Sequence, residues 1–282
     1  MVIEITTGWL THSMAVLADG WHMSSHALAI GLATFAYAAA RRYADDPRFA
    51  FGTWKIEILA GYTSAIVLLG VAGTMLFASL ERLISPEPVL YGEAMIVAVA
   101  GLLINLACAQ ILDGAHDHQH THDHAHPHDH HHDHHHDLNL KAAYVHVLTD
   151  ALTSVLAILA LAGGWWLGWY WLDPAMGLIG AILVAVWARK LLIQTGAVLL
   201  DREMDHPVVA EVREVVSQLA DGDVDITDLH VWRVGNGAYA CALSLLTHNA
   251  SLTPLQVREA LAIHQELMHV TVEIHRCDQC PA

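Results

Sequence analysis

Five long apolar runs limit most strongly what this chain can fold into. They lie roughly at residues 14–39, 56–80, 92–112, 141–168 and 174–200. About 20 helical residues cross the roughly 30 Å of hydrocarbon in a bilayer, and each run is at least that long. The chain of 282 residues is 55% hydrophobic and 15% charged, whereas soluble domains are roughly 25% charged. The runs therefore predict an α-helical membrane protein.

The N-terminal segment VIEITTGWLT, residues 2–11, is apolar but short, and it lacks the basic start of a signal peptide. Ten helical residues rise about 15 Å, which is half of a crossing. We expect either a span whose first half is missing or a re-entrant stub.

The distribution of charge excludes one function class and orients the spans. The net charge of −16 is concentrated in an Asp/His segment and in the C-terminal part, and 13 Lys and Arg are too few for a nucleic-acid interface. Cytoplasmic loops are enriched in Lys and Arg. The basic residues flanking the runs lie mainly on one side, where they are Arg41, Arg42, Arg48, Lys55, Lys141, Arg189, Lys190 and Arg202, with Arg82 opposite. We therefore expect residues 113–137 and the C-terminal part in the cytoplasm.

The segment from Asp113 to Asp137 is of low complexity and holds 13 of the 23 histidines. With almost no apolar side chains to bury, it is expected to be a flexible loop. One interpretation is a solvated tether. The other is that alternating Asp and His raise the local metal concentration near the cytoplasmic mouth.

After Asp201 the composition changes to that of a small soluble domain. Hydrophobic periodicity predicts helices over residues 207–220 and 253–267 and strands over 224–235, 238–247 and 269–275, with Asn-Gly at the first turn. The predicted division is a transmembrane domain at 1–203 and an α+β domain at 204–282.

Ionisable side chains inside a bilayer are costly and usually functional. Asp19, His22 and His26 are spaced by three and four residues, and so lie on one helix face; His146 and Asp150 share a face in the same way. The alternative is that such residues sit at helix ends near water or are satisfied core histidines. Two i, i+4 pairs in separate runs favour a tetrahedral site for a divalent transition metal. Three imidazoles and one carboxylate suit Zn²⁺, Co²⁺ or Ni²⁺ better than Mn²⁺.

The motifs LADGWHMSSH, FGTWKIEILA, HVLTD, LDPAMGLIGAILV and DLHVW, together with the His-rich loop, resemble the cation diffusion facilitator family of metal transporters over nearly the whole chain. The resemblance implies a six-helix bundle, here with a truncated first helix, and a cytoplasmic ferredoxin-like domain for metal sensing and dimerisation. It also implies a homodimer that exports divalent metal in exchange for protons, in a bacterial inner membrane.

Carried over by position, His22, His26, His146 and Asp150 would form the transport site. His26 stands where the commonest zinc pattern has Asp, which is similar to the bacterial cobalt and nickel efflux branch.

The ligand types suggest the mechanism. Histidine has an unperturbed pKa near 6.5, and only its deprotonated form binds metal, so metal and protons compete at one site. A primary pump is disfavoured because the chain has no G-x-x-x-x-G-K-[ST] motif. An intramembrane metalloenzyme is disfavoured because the quartet has no nearby Glu as general base, so neither catalysis nor a resident cofactor is expected. The remaining alternative is a membrane-anchored metal buffer or sensor.

Further side chains were assigned from their surroundings. The tail holds candidates for regulatory metal binding, which are His230, His248, His264, His275, Cys277 and Cys280, with Cys277 and Cys280 in a C-x-x-C pair. His230 and His275 are predicted on neighbouring strands. Cys108 and Cys241 are expected to be buried and inert. Asp19 is interpreted as a helix-start or vestibule residue, and Asn105 as an interhelical hydrogen-bonding group.

Overall fold

The structure is a computed structural model that describes residues 1–117, 134–219 and 223–276, except for the side chains of residue 109 and residues 111–149. Its N-terminal part is helical throughout: α1 (Val2–Leu10), α2 (Met14–Arg42), α3 (Lys55–Ile84), α4 (Tyr91–Asp117), α5 (His134–Leu167) and α6 (Leu172–Leu199). Within the described residues, α2 to α6 each contain a stretch long and apolar enough to cross a membrane. The five predicted spans are confirmed.

The predicted bounds of the loop, residues 113–137, extend too far in both directions. Helix α4 continues to Asp117 and α5 begins at His134, and residues 118–133 lie outside the described part. Once a helix is nucleated, each further residue adds a hydrogen bond. Two long apolar helices can therefore extend into polar sequence.

The chain divides into two compact units, of which the first comprises Met1–Ala29 and Ile66–Arg189. Small side chains dominate its buried clusters, as in Ala94 and Ala98 with Leu161, and Ala18 and Ala181 with Met75. Lipid tails supply no hydrophobic force that would drive helices together, so membrane helices associate through close packing. Small residues allow the helices to approach closely enough for it.

A carboxylate from α6 holds the start of α2. Asp173 accepts hydrogen bonds from Ser13 Oγ at 2.6 Å, from the Met14 amide at 2.7 Å and from the Ala15 amide at 3.2 Å. The first amides of a helix have no partner within the helix. Asp173 therefore acts as a capping residue supplied from 160 positions away.

The second unit comprises Ile30–Ala65 and Lys190–Ala282. Its C-terminal part contains α7 (Pro207–Ser217), β1 (Val224–Gly235), β2 (Ala238–Thr247), α8 (Pro254–Leu261) and β3 (Leu267–Arg276). The sheet order is β1-β2-β3, with β1 and β2 antiparallel and β2 and β3 parallel. One core joins the two helices to the sheet, built on Val212, Val216, Val231, Leu245, Val257 and Leu261. The predicted order of helices and strands is confirmed.

Helix α8 is shorter than the predicted 253–267. A Thr253–Gln256 capping box and a Pro at the first turn define its start, and Ala262 ends it. Leu267 already pairs with Tyr239 of β2, so the chain must turn at residues 262–266 to enter the sheet. His264 therefore lies in a turn rather than on a helix.

Candidate metal centre

Helices α2 and α5 bring three of the four predicted ligands together. Asp150 Oδ1 lies 3.0 Å from His22 Nε2, and the rings of His22 and His26 are 5.0 Å apart, edge to face. One ligand atom from each of His22, His26 and Asp150 lies within 4.8 Å of the others. The i, i+4 spacing on α2 therefore gives the shared face that helical periodicity predicts.

The fourth predicted ligand, His146, lies on α5 one turn before Asp150. Its side chain is outside the described part of the structure. Its role as a ligand stays a prediction, based on the same i, i+4 relation that places His22 and His26 together.

The three donors are shielded from solvent. The side chains of His22 and Asp150 are 13% and 7% exposed, and Trp187 of α6 meets the His26 ring edge to face at 5.5 Å. The hydroxyl of Ser25 donates to the carbonyl of His22, and that of Ser24 donates to the carbonyl of Gly20. Their hydroxyl protons are thus used within α2.

The contact between His22 Nε2 and Asp150 Oδ1 has the length of a hydrogen bond, 3.0 Å. An ionised carboxylate only accepts hydrogen bonds, so with Asp150 ionised this bond requires a proton on Nε2. A metal ion needs the lone pair of an imidazole nitrogen and an oxygen of the carboxylate. Binding a cation through these two atoms therefore displaces the proton between them.

Asp19 is a helix-interior residue, and its assignment to a helix start is wrong. Helix α2 begins five residues earlier, at Met14. The buried Asp19 carboxylate accepts from Ser154 Oγ at 2.8 Å and faces Thr153 Oγ1 at 3.3 Å. It joins α2 to α5 one turn away from the His22–Asp150 pair and is not one of the three clustered ligands.

Sequence reasoning missed the two hydroxyl residues of this network. Thr153 Oγ1 and Ser154 Oγ also lie 2.8 Å and 3.2 Å from the Asp150 carbonyl. The predicted interhelical bond of Asn105 is confirmed, since its Nδ2 donates to Ser154 Oγ at 3.4 Å. The available signal was the pair of hydroxyl residues three and four positions after Asp150, which is the spacing that shares its helix face.

A small cavity adjoins the centre. Its volume is about 60 Å³, and its polar lining residues are Asp19, His22 and Thr153. The rest of its wall is apolar and comes from α2, α5 and α6, including Met176, Ile179 and Leu183. The Asp19 carboxylate and the His22 ring thus face one common space.

The tail candidates are dispersed. His230 pairs with Asp228, His248 with Asp223 and His275 with Glu273, at 3.1, 3.1 and 3.5 Å. Strand β2 lies between His230 and His275, so the expectation of neighbouring strands is wrong. Strand β2 pairs with β1 on one edge and with β3 on the other, so β1 and β3 do not meet.

Among the described residues, His264 is the one tail candidate that lies in a group of three potential metal ligands, with Glu211 and Glu266. Cys277 and Cys280 lie outside the described residues.

The other two cysteines differ from each other. Cys241 is buried, and burial raises the pKa of its thiol to about 11. Cys108 is exposed on α4, so the expectation that it is buried is wrong.

One of the two acidic residues in the loop between α2 and α3, Asp46, is bound within the loop. The Arg48 guanidinium donates to both carboxylate oxygens of Asp46, at 2.6 to 3.0 Å, and the Arg48 amide donates as well. These bonds lower the pKa of Asp46 below its ordinary value. Asp46 is thereby tied to an arginine rather than open to a cation.

Comparison with known proteins gives consistent matches. A family model described as the cation efflux transmembrane domain matches residues 1–200. The metal cation efflux system protein CzcD of Cupriavidus metallidurans is 30% identical over 292 residues, covering 100% of this chain and 85% of that protein. The cadmium, cobalt and zinc/H(+)-K(+) antiporter of Bacillus subtilis is 28% identical, covering 97% of this chain and 84% of its own. The zinc transporter ZitB of Escherichia coli is 30% identical, covering 97% and 82%.

Proposed function

Because this chain belongs to the cation efflux, or cation diffusion facilitator, family of metal transporters, we propose that it exchanges Zn²⁺, Co²⁺ or Ni²⁺ for protons. It is an integral membrane protein, and its activity is metal efflux rather than catalysis. The finer proposal is alternating access, in which His22, His26, His146 and Asp150 bind the ion from the cytoplasm and release it outside.

One observation carries the proposal. His22 Nε2 and Oδ1 of the buried Asp150 lie 3.0 Å apart, with His26 beside them. A proton between these atoms and a metal bound to them are mutually exclusive states, which is the minimum requirement for exchange. The names of the relatives include zinc, cobalt and cadmium, and one names H(+).

The proposed assembly follows the family. It is a homodimer in the inner membrane of a bacterium, with residues 1–203 in the bilayer and 204–282 in the cytoplasm. The positive-inside rule supports this orientation, because Arg41, Arg42 and Lys55 lie on the same side as Arg202.

The test uses purified full chain in proteoliposomes with a metal-sensitive dye inside. We expect uptake of Zn²⁺, Co²⁺ or Ni²⁺ that increases when the lumen is acidic. The His146→Ala and Asp150→Ala variants should lose about 100-fold in rate, since each removes a ligand from a four-donor site. Asp45→Ala, in the exposed loop after α2, is the matched control and should transport normally.

Two outcomes would contradict the proposal. Full-rate transport by a variant that combines His146→Ala with Asp150→Ala would rule out the proposed transport site. Uptake that does not depend on the pH gradient would rule out proton coupling. Tight binding without flux would favour the second candidate, a membrane-anchored metal buffer or sensor, which the 13 histidines of the loop support.

A further inference from the structure

Five exposed aromatic side chains lie at the turn that joins α5 to α6. They are Trp165, Trp166, Trp169, Tyr170 and Trp171, which together are called the aromatic cluster. Each of them is between 50% and 77% exposed, and they include four of the nine tryptophans of the chain. One aromatic side chain can bury about 150–250 Å² of surface. An exposed aromatic area of this size indicates a binding surface.

Backbone hydrogen bonds hold this turn in one shape. The Trp169 amide donates to the Gly163 carbonyl at 3.2 Å, and the Leu172 amide donates to the Trp169 carbonyl at 3.0 Å. Gly168 has a φ of 72°, in the left-handed region that glycine adopts without steric cost. The aromatic cluster is therefore presented by a defined turn.

The polar atoms of the aromatic cluster have no partner in the protein. In the part of the chain that the structure describes, no hydrogen bond involves the indole N–H groups of the four tryptophans or the hydroxyl of Tyr170. Tryptophan and tyrosine combine an apolar ring with one polar edge, and they are enriched where a membrane meets water. The polar edges of the cluster can therefore form hydrogen bonds with groups outside the protein.

The position of the turn matches the edge of the hydrocarbon layer. A candidate span of 18 residues ends at Leu167, directly before the turn, and the next span begins at Leu172. Between Asp150 and Arg189 the sequence holds one charged residue, Asp173. It is 1% exposed and caps the start of α2. The exposed surface of this stretch is therefore uncharged.

A layer of lipid headgroups explains the aromatic cluster better than a partner protein does. Consecutive residues of a helix point about 100° apart, so Trp165 and Trp166 of α5 point in different directions, and both are more than half exposed. A headgroup layer surrounds the turn and can contact both, whereas a partner protein contacts one side. Because the cluster contains neither Lys nor Arg, it has no charge that would select anionic lipids.

We propose that the aromatic cluster binds the boundary between headgroups and acyl chains in one leaflet, and so anchors the ends of α5 and α6 at that depth. By the proposed orientation, this is the leaflet on the non-cytoplasmic side. The rings contact the upper part of the acyl chains, and the indole N–H groups donate hydrogen bonds to phosphate and ester oxygens. Zwitterionic and anionic lipids both supply these acceptors. The proposal concerns the contact with lipid and does not depend on transport.

The test is tryptophan fluorescence of the full chain in liposomes whose lipids carry bromine, a short-range quencher, either near the headgroup or near the end of the acyl chain. The emission of the cluster is the difference between the unsubstituted protein and a variant with Trp165→Phe, Trp166→Phe, Trp169→Phe and Trp171→Phe. We expect bromine near the headgroup to quench this difference about twofold more than bromine near the chain end. The result should be the same in zwitterionic and in anionic lipids.

The matched control is Trp232→Phe, on β1 of the C-terminal α+β part. The emission that it removes should be quenched by aqueous acrylamide and not by brominated lipid. Trp169→Phe alone supplies the same kind of difference from one substitution, should the fourfold variant fail to fold.

Three results would overturn the proposal. Quenching of the cluster emission by acrylamide alone would place the turn in water, and quenching by neither agent would place it against a second copy of the chain. Stronger quenching by bromine near the chain end would place it inside the hydrocarbon layer. Quenching in anionic lipid alone would show that charge, rather than the aromatic rings, determines the contact.

Discussion

Single side chains determine what the centre can bind. His22 and Asp150 contribute a nitrogen and an oxygen at hydrogen-bonding distance, and Asp19 joins their helices through Ser154 at 2.8 Å. Partners outside the ligand set orient the ligands, and their loss typically costs 10- to 100-fold in metal affinity. We therefore propose that Asp19 positions the ligands through Ser154 and does not itself bind the ion.

The first prediction concerns Asp19. Asp19→Ala removes the acceptor for Ser154 and Thr153, so the metal concentration for half-maximal transport should rise about tenfold, with a smaller change in maximal rate. Asp19→Asn keeps one acceptor oxygen and should recover part of the affinity. The measurement is initial rate against metal concentration in proteoliposomes, with Asp45→Asn as control. A fall in maximal rate alone would contradict a positioning role.

The second prediction concerns His26. His26→Asp exchanges an imidazole for a carboxylate beside His22, making the donor set harder. We expect the ratio of Zn²⁺ to Ni²⁺ transport to change by about tenfold, because the two ions differ in how strongly they prefer nitrogen over oxygen ligands. A tenfold change corresponds to a difference of about 1.4 kcal/mol in binding free energy. His12→Asp, at an exposed histidine between α1 and α2, is the control. An unchanged ratio would show that His26 does not contact the ion.

At the scale of helices, α2 is positioned by its neighbours. Asp173 of α6 caps its start. Two glycines, Gly8 of α1 and Gly177 of α6, also let these helices approach α2 closely. A Cβ on Gly8 would lie 2.7 Å from the Leu17 amide, and one on Gly177 would lie 2.8 Å from Met14 Cβ and 2.5 Å from Ser79 Oγ. The start of α2 therefore lies close against α1 and α6, and Gly177 of α6 also lies close to α3.

The third prediction tests the approach of α6 to α2. Gly177→Ala should destabilise the protein by about 1–3 kcal/mol, because the added methyl group must displace Met14 or Ser79. The measurement is the thermal midpoint of the detergent-solubilised protein. Gly73→Ala on α3 is the control, since a Cβ there meets nothing within 4 Å. A control that loses as much stability would show that glycine itself, rather than the contact, is required.

On the scale of the whole molecule, the three clustered ligands of the proposed transport site lie in one compact unit. His22, His26 and Asp150 all belong to the first unit. The His-rich segment joins α4 to α5, so it enters the bundle directly before the helix that carries Asp150. This connection fits a role in supplying metal rather than in carrying it across.

The fourth prediction replaces residues 118–133, between α4 and α5, with a Gly/Ser linker of equal length. Transport should persist at saturating metal, while the metal concentration for half-maximal rate rises by up to about tenfold, because labile ligands raise the local ion concentration. A second variant keeps the Asp residues of this segment and replaces only its His residues with Gln. It separates the effect of the negative charge from the effect of metal binding by histidine. Complete loss of transport in proteoliposomes would contradict this role.

Much of the fold and part of the centre were predictable because they depend on local chemistry. The thickness of the bilayer sets the length of the five spans, and the helical period puts His22 and His26 on one face. The alternation of apolar residues likewise indicated β1 and β2. Each of these properties depends only on residues that are close together in the sequence. It can therefore be predicted without knowing which distant residues are in contact.

The remaining features were decided by tertiary structure. Asp19 meets Ser154 across 135 positions, and Asp173 meets Ser13 across 160. The parallel pairing of β2 with β3 separates His230 from His275, and the early end of α8 turns His264 toward Glu211. The periodicity of a helix or strand does not show which distant groups become neighbours. That depends on which buried polar atoms can form hydrogen bonds with one another once the helices and strands have packed.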